Sequence, residues 1–382
     1  MSGGPQSGRQ GGPDSAPPGA AVASALPLSG LPAAGRWAAL LTLSLVLGGV
    51  LQWAGLPGAI MLGPLAAAIV VESAGGTVKV PRLPMLAAQA VVGVFVAQSI
   101  TAAIVAGFVR QWPLFLGVVL LTVAAATALG FTLSRLRIIP GHSTAVWGLL
   151  PGAATVMMLM AEEYGADFRL VAFMQYLRVV LVAAVASVVA LVFVHGGGGG
   201  RFAAGLLPPV DPANLASTVA VTVVGAALGR LSRLPAGILL GPLVLGAVLN
   251  VLGVVAVKVP PALLIASFAL IGWNTGLRFT GDALAAAARA LPQSVGAMIV
   301  LIAFCGLVAW GLVALAGIDP LTAYLATSPG GLDAAAVIAA STRVDMAFVM
   351  AVQAVRLVIL IVAGPALGRW VAGMLEKASP RP

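Results

Sequence analysis

Long apolar segments constrain the fold of this chain more than any other feature. Ten uninterrupted runs, each of roughly 20 residues and nearly free of charge, are long enough to cross the hydrocarbon core of a bilayer as helices. Only 8% of the residues are charged and 60% are hydrophobic, which leaves too few polar side chains to cover a water-facing surface of this size. The sequence therefore predicts an all-α integral membrane protein. The ten runs cover approximately residues 37–55, 58–74, 84–108, 112–134, 168–194, 213–230, 236–256, 261–279, 293–316 and 346–372.

The same motifs occur twice along the chain, mostly 178 residues apart. The sequence "LPGAIMLGPL" begins at Leu56, and "LPAGILLGPL" begins at Leu234. Matches between Ala, Val or Leu are expected by chance in any membrane protein, so the polar matches at the same offset carry the weight. They predict two homologous membrane repeats, residues 35–194 and 213–375. The matched positions are Pro151, Gly152, Asp167, Gln175 and Arg178 in the first half, and Pro329, Gly330, Asp345, Gln353 and Arg356 in the second.

Three other segments flank or separate these repeats. Residues 1–34 are rich in Gly, Pro, Ser and Ala and contain no large apolar run, which predicts a disordered N-terminal tail and not a cleaved signal peptide. Residues 195–212 combine a run of glycines with several prolines and predict a linker. Residues 376–382 are expected to form a short C-terminal tail.

The distribution of Lys and Arg distinguishes parallel from inverted repeats, because cytoplasmic loops carry an excess of these residues. If each half crosses the membrane six times, the repeats are parallel and the basic residues outside the membrane core divide 11 inside to 7 outside. If each half crosses five times and also carries a re-entrant segment, the repeats are inverted and the division is 14 to 4. The inverted arrangement is therefore favoured, with both termini in the cytoplasm and the chain in a bacterial inner membrane. The outside set is then Arg110, Arg201, Lys258 and Arg343.

Two further apolar segments, 143–163 and 320–342, are interrupted by the sequences "PGAA" and "SPGG". Proline removes a backbone donor, so each segment is expected to break there. A break in hydrocarbon is tolerated only where protein or a water-filled cavity satisfies the freed backbone groups. Paired broken helices in inverted repeats are typical of transporters, whose half-helix ends face the substrate. The alternative is that the motif only kinks a packed helix or marks an ordinary loop. The candidate substrate-binding positions are Pro151, Gly152, Pro329, Gly330 and Gly331.

Two arginines are the second candidate feature of the sequence. Arg178 and Arg356 each lie about ten residues into an apolar run, where a cation is costly unless it is paired or hydrated. They are expected either to pair with an acid or with carbonyls of the broken segment, or to form a paired site for an anionic substrate, and the two roles are compatible. Gln175 and Gln353 each precede an arginine by three residues, so they neighbour it on the helix surface and join the candidate site.

The remaining candidates are polar residues near these motifs. Asp333 follows the second break. Asp167 and Asp345 stand near predicted helix starts, where capping of the helix is the main alternative to a site role. Asn274 is a further candidate, and a helix–helix hydrogen bond is its alternative role.

Some classes of function are disfavoured by the same composition. The net charge of +9 comes from single basic residues scattered between apolar runs, whereas a nucleic-acid-binding surface clusters them on one face. His142 and His195 have no suitably spaced companion, and Cys305 lies in an apolar run, so neither a metal site nor a cofactor is expected. The expected partners are membrane lipid and a small solute or ion, with a homo-oligomer possible and no nucleic acid.

From about residue 37 to residue 375 the chain resembles the bacterial AbrB-type membrane proteins with an internal duplication. The resemblance rests on the two "LP…LGPL" motifs, on "PGAATVMML" and "SPGGLDAAA", and on "DFRLVAFMQYLRVVLV" and "DMAFVMAVQAVRLVIL". The family's second motif reads Pro-Gly-Gly-Leu followed by an acidic residue, which residues 329–333 match. The first half has Ala153 at the second glycine position and lacks the acidic residue.

This resemblance implies three possible functions. Members of the family look like transporters of unknown substrate, and they are also described as regulators of aidB expression or as ammonia monooxygenases. A monooxygenase would need copper or iron ligands, which two unspaced histidines and one cysteine do not supply. The sequence is therefore interpreted as a non-enzymatic secondary transporter of a small, possibly anionic, solute. A membrane-embedded regulator that acts indirectly is the alternative.

Overall fold

The computed structural model describes residues 27–56, 58–98, 100–110, 112–140, 143–151, 154–193, 212–232, 237–255, 257–280 and 288–378. In these ranges the regular structure is helical and includes no strand. The predicted linker and nearly all of the predicted N-terminal tail lie outside the described residues. The helices are α1 (Ala33–Trp53), α2 (Ala59–Ser73), α3 (Arg82–Ala97), α4 (Ala102–Arg110), α5 (Trp112–Arg135), α6 (Thr144–Leu149), α7 (Ala154–Glu163), α8 (Phe168–Phe193), α9 (Pro212–Leu231), α10 (Gly237–Val251), α11 (Pro261–Gly276), α12 (Leu291–Ala316), α13 (Pro320–Thr327), α14 (Leu332–Ser341) and α15 (Met346–Ala378).

Five of these helices, α1, α5, α8, α9 and α12, are long and apolar enough to cross a membrane. Shorter apolar helices are α2, α3, α10, α11 and the first part of α15. Large apolar side chains also point away from the protein: Leu45 on α1 is 77% exposed and Leu315 on α12 is 91% exposed. Helices that are apolar on both their buried and their outer faces belong in hydrocarbon. The structure therefore fits an α-helical membrane protein.

Helices occur at all ten predicted apolar runs, with three corrections to their boundaries. The run predicted at 84–108 is not one helix, because α3 ends at Ala97 and α4 begins at Ala102, after the polar sequence "QSIT". The N-terminal tail ends before residue 34: α1 begins at Ala33, and Arg36 Nη2 donates a hydrogen bond to Ser29 O, which fastens the preceding turn. At the other end, α15 continues through Ala378, beyond the predicted boundary at 375.

Helices α2 and α11 lie side by side with their backbones in close contact. A Cβ atom added to Gly272 would lie 2.6 Å from Met61 O, and one added to Gly276 would lie 2.4 Å from Leu65 O. The contact advances toward higher residue numbers on both helices, so α2 and α11 run parallel. Glycine is needed at such positions because any side chain would collide with the neighbouring backbone.

Helices α3 and α10 make the same kind of contact. A Cβ atom on Gly93 would lie 2.1 Å from Leu239 O, and a Cβ atom on Gly246 would lie 2.8 Å from the Cβ of Ala97. These helices therefore also run parallel, with α3 packed on α10 as closely as α11 is packed on α2. Helices α3 and α11 in turn contact each other, which joins the two pairs into one group.

Four short helices and two long ones form the centre of the remaining structure. Helices α6 and α7 pack against α8, and α13 and α14 pack against α15. The short helices α13 and α14 also contact α8, while α7 also contacts α15. Each interrupted segment therefore lies between the two long helices that carry Arg178 and Arg356.

Candidate functional site

The interrupted segment of the second half breaks at residues 328–331. Helix α13 ends at Thr327, and α14 begins at Leu332. Pro329 and Gly330 between them are buried. Because Pro329 has no N–H and the helical ladder stops there, the carbonyls at the end of α13 need donors from elsewhere.

Gln353 and Arg356 on α15 supply those donors. Gln353 Nε2 donates hydrogen bonds to Leu325 O at 2.8 Å and to Ser328 O at 3.4 Å. Arg356 Nη1 donates to Ser328 O at 2.6 Å, and its Nη2 donates to Gly330 O at 2.7 Å and to Gln353 Oε1. The guanidinium thus spans the break and holds both of its sides.

Gln175 and Arg178 on α8 make matching hydrogen bonds in the first half. Gln175 Nε2 donates to Trp147 O at 2.7 Å and to Leu150 O at 3.2 Å. Arg178 Nη1 donates to Leu150 O at 2.7 Å. Leu150 directly precedes the buried Pro151, so these side chains satisfy the end of α6 as their counterparts satisfy the end of α13.

The two breaks and the two arginines belong to one region of the molecule. Gly330 packs on α8, since a Cβ atom added to it would lie 2.9 Å from Val182 Cγ1, one turn beyond Arg178. The same glycine accepts a hydrogen bond from Arg356 on α15. Gly331 lies nearby, where an added Cβ atom would be 3.9 Å from Val179 Cγ2.

The charge of this region is positive and deeply buried. Arg178 is 1% exposed and Arg356 is 3% exposed, and their charges are close enough to repel each other. Neither guanidinium forms an ion pair with a carboxylate in the part of the chain that the structure describes. Carbonyl and amide oxygens partly offset the two charges, but no anionic group does so. The region is therefore suited to a negatively charged ligand.

Asp167 and Asp345 cap helices, which is the role that their positions near helix starts predict. Asp167 Oδ1 accepts from Leu170 N at 3.1 Å, and Asp345 Oδ1 accepts from Phe348 N at 2.9 Å. Both residues are exposed at the starts of α8 and α15, away from the buried guanidiniums. They therefore anchor the long helices and do not line the breaks.

The other predicted site residues separate from this group. Asn274 lies on α11, partly buried, and takes no part in the hydrogen bonds that hold the breaks. Gly152 lies outside the described residues, and so does the side chain of Asp333 at the start of α14. Within the described ranges, His, Cys, Asp and Glu side chains form no group of three that would hold a metal ion.

Two hydroxyl contacts at the site were missed by the sequence interpretation. Thr144 Oγ1 accepts from Asp167 N at 3.1 Å, and Thr322 Oγ1 accepts from Asp345 N at the same distance. These bonds tie the start of each broken segment to the start of the long helix that follows it. The signal was present, because the two threonines also stand 178 residues apart. The carbonyls of Leu150 and Ser328 carry no side-chain signal.

Comparison with known proteins identifies the family. A family model described as "Transition state regulatory protein AbrB" matches residues 60–372, a range that includes both breaks and both arginines. A protein of Escherichia coli (strain K12) described as "Putative regulator AbrB" is 41% identical over 348 residues, which are 90% of this chain and 99% of that relative. The resemblance noted from the motifs is thereby confirmed: the chain belongs to the AbrB family.

Proposed function

We propose that this protein is a secondary transporter of a small anionic solute, which binds between the two helix breaks. The observation that carries the proposal is the pair of buried guanidiniums, Arg178 and Arg356, that lack a carboxylate partner among the described residues. Two like charges in a low-dielectric region are costly unless a counter-charge is present. A solute anion supplies that counter-charge while it is bound and removes it when it leaves.

The inverted repeat expected from the sequence is part of this proposal. The parallel packing of α2 on α11 and of α3 on α10 supports it, because α2 and α3 are consecutive spans and must run in opposite directions. Helix α2 and its counterpart α10 are then antiparallel, as an inverted duplication requires. The matching hydrogen bonds of Gln175 and Gln353 give independent support for the duplication itself.

In this arrangement each half crosses the membrane five times, and each interrupted segment is re-entrant. The half-helix ends meet near the middle of the bilayer, where a solute is reached from either side as one half moves against the other. The positive-inside count supports both termini in the cytoplasm of the bacterial inner membrane. No enzymatic step is assigned to the site.

The test begins with the identity of the solute. Metabolite profiles of a deletion strain and its complemented control should differ in the transported solute, whose uptake is then measured in proteoliposomes. Arg178→Ala and Arg356→Ala are each expected to abolish uptake while the protein still inserts in the membrane. Arg343→Ala, which removes an exposed arginine, is the matched control and should retain uptake. Normal uptake by both site variants would contradict the proposal.

A regulatory role is the second candidate, because both the family description and the E. coli relative carry the word "regulator" or "regulatory". We infer that any such role is indirect and follows from transport of a signalling solute. The transport-defective Arg178→Ala variant separates the possibilities. Transcript profiles of cells carrying it should match those of the deletion strain. Wild-type transcript levels without transport would indicate direct regulation.

A further inference from the structure

The glutamine–arginine pairs of the two halves differ in how completely they are satisfied. In the second half, Gln353 Oε1 accepts a hydrogen bond from Arg356 Nη2, so the pair closes on itself. In the first half, Gln175 Oε1 and Arg178 Nε are fully buried and have no hydrogen-bond partner among the described residues. Gln175 is 0% exposed and Arg178 is 1% exposed, so water outside the protein does not reach them.

The orientation of the Gln175 amide follows from its neighbours. Its Nε2 donates to two carbonyls, those of Trp147 and Leu150, and an exchange of the amide oxygen and nitrogen would set an oxygen against both. The Oε1 atom is therefore the free one, and it needs a donor. Arg178 Nε is a donor, and it needs an acceptor.

These two unsatisfied atoms converge on the first break. Gln175 Nε2 and Arg178 Nη1 both donate to the same oxygen, Leu150 O, which places the two side-chain ends next to each other. Leaving a buried donor or acceptor without a partner is costly, so native proteins satisfy such groups with protein, water or ligand. A ligand that carries one acceptor and one donor on adjacent atoms satisfies both at once.

The charge of the region decides the chemistry of that donor. Arg178 and Arg356 already repel each other, and a ligand ammonium group would add a third positive charge. A hydroxyl group donates to Gln175 Oε1 without adding charge. The ligand acceptor facing Arg178 is best supplied by a carboxylate, which charge-assisted hydrogen bonds favour.

From this asymmetry we propose that the first-half pair, Gln175 with Arg178, is the recognition site for a small hydroxycarboxylate, whose carboxylate meets Arg178 and whose hydroxyl meets Gln175. The closed pair Gln353–Arg356 holds its helix break and contributes charge. This assignment rests on the proposed function and adds the class of solute and the half of the molecule that reads it.

The test is direct binding to the purified full-length protein in lipid nanodiscs, measured by isothermal titration. The probes are lactate, propionate and alanine, which share a three-carbon skeleton and differ at carbon 2. Lactate is expected to bind about tenfold more tightly than propionate, since propionate leaves Gln175 Oε1 unpaired. Alanine is expected to bind most weakly because of its ammonium group.

Variants distinguish the two pairs. Gln175→Met removes the amide oxygen and should make the affinities for lactate and propionate equal. Gln353→Met should weaken both acids in equal measure and leave their ratio near the wild-type value. Arg178→Lys keeps the charge but lacks Nε–H, and it should lower lactate affinity at least tenfold. Arg169→Lys, at an exposed site on the same helix, is the matched control.

The outcomes separate this inference from the proposed function. If propionate binds as tightly as lactate, or if Gln353→Met removes the preference in place of Gln175→Met, the assignment of the first-half pair is wrong while an anion site stands. If no probe binds, the hydroxycarboxylate assignment is wrong, and uptake by Arg178→Ala decides the transporter proposal by itself.

Discussion

The close contact between α3 and α10 leads to a quantitative prediction about Gly93. A methyl group at this position would lie 2.1 Å from Leu239 O, although Cβ atoms essentially never approach another heavy atom closer than 3.0 Å. The obstacle is a backbone oxygen, so no side-chain rotation relieves the collision and the two helices must separate. Overpacking of this kind costs about 1–3 kcal/mol.

A second effect acts in the opposite direction. Replacing glycine by alanine inside a helix gains up to about 1 kcal/mol in helix propensity. Gly93→Ala is therefore expected to lower the free energy of unfolding by about 1–2 kcal/mol, as the difference between these two terms. Gly272→Ala, which would bring a Cβ atom to 2.6 Å from Met61 O, should act in the same direction and to a smaller extent.

The assay is reversible unfolding in mixed micelles, followed by tryptophan fluorescence as the fraction of denaturing detergent rises. Gly117→Ala on α5 is the matched control, because a Cβ atom there meets nothing within 4 Å. It should leave stability unchanged or raise it by up to about 1 kcal/mol. If Gly93→Ala proves as stable as Gly117→Ala, then α3 and α10 do not pack in this register, and the support for inverted repeats is lost.

Further predictions concern the long helices and the topology. Asp345→Ala removes the cap at the start of α15 and should lower the free energy of unfolding by about 1 kcal/mol in the same assay, a loss that Asp345→Asn should largely restore. Thr322→Val leaves the amide of Asp345 without its acceptor and should cost about 1–3 kcal/mol, whereas Thr132→Val at an exposed site should cost much less. An alkaline phosphatase fusion at Gly198 should be active, because inverted repeats place the linker in the periplasm; activity there of a reporter that works only in the cytoplasm would refute that topology.

Much of the molecule was predictable from local sequence. The apolar runs indicate membrane helices because a backbone in hydrocarbon must satisfy its own hydrogen bonds. Pro151 and Pro329 mark where two of the segments break, since proline cannot donate to the ladder. The recurrence of Gln175 and Arg178 as Gln353 and Arg356 pointed to the buried polar groups before any contact was known.

What the sequence determined by itself was the class of protein, the family and the positions of the breaks, because these depend on local hydropathy, backbone chemistry and motifs. Only the tertiary structure decided what the arginines touch: backbone carbonyls satisfy them, and carbonyls look alike in every residue. It also decided that the two pairs differ, with Gln353 closed on Arg356 and Gln175 left open beside Arg178. Identical residue types at matching positions reach different states because each pair's surroundings come from segments distant along the chain.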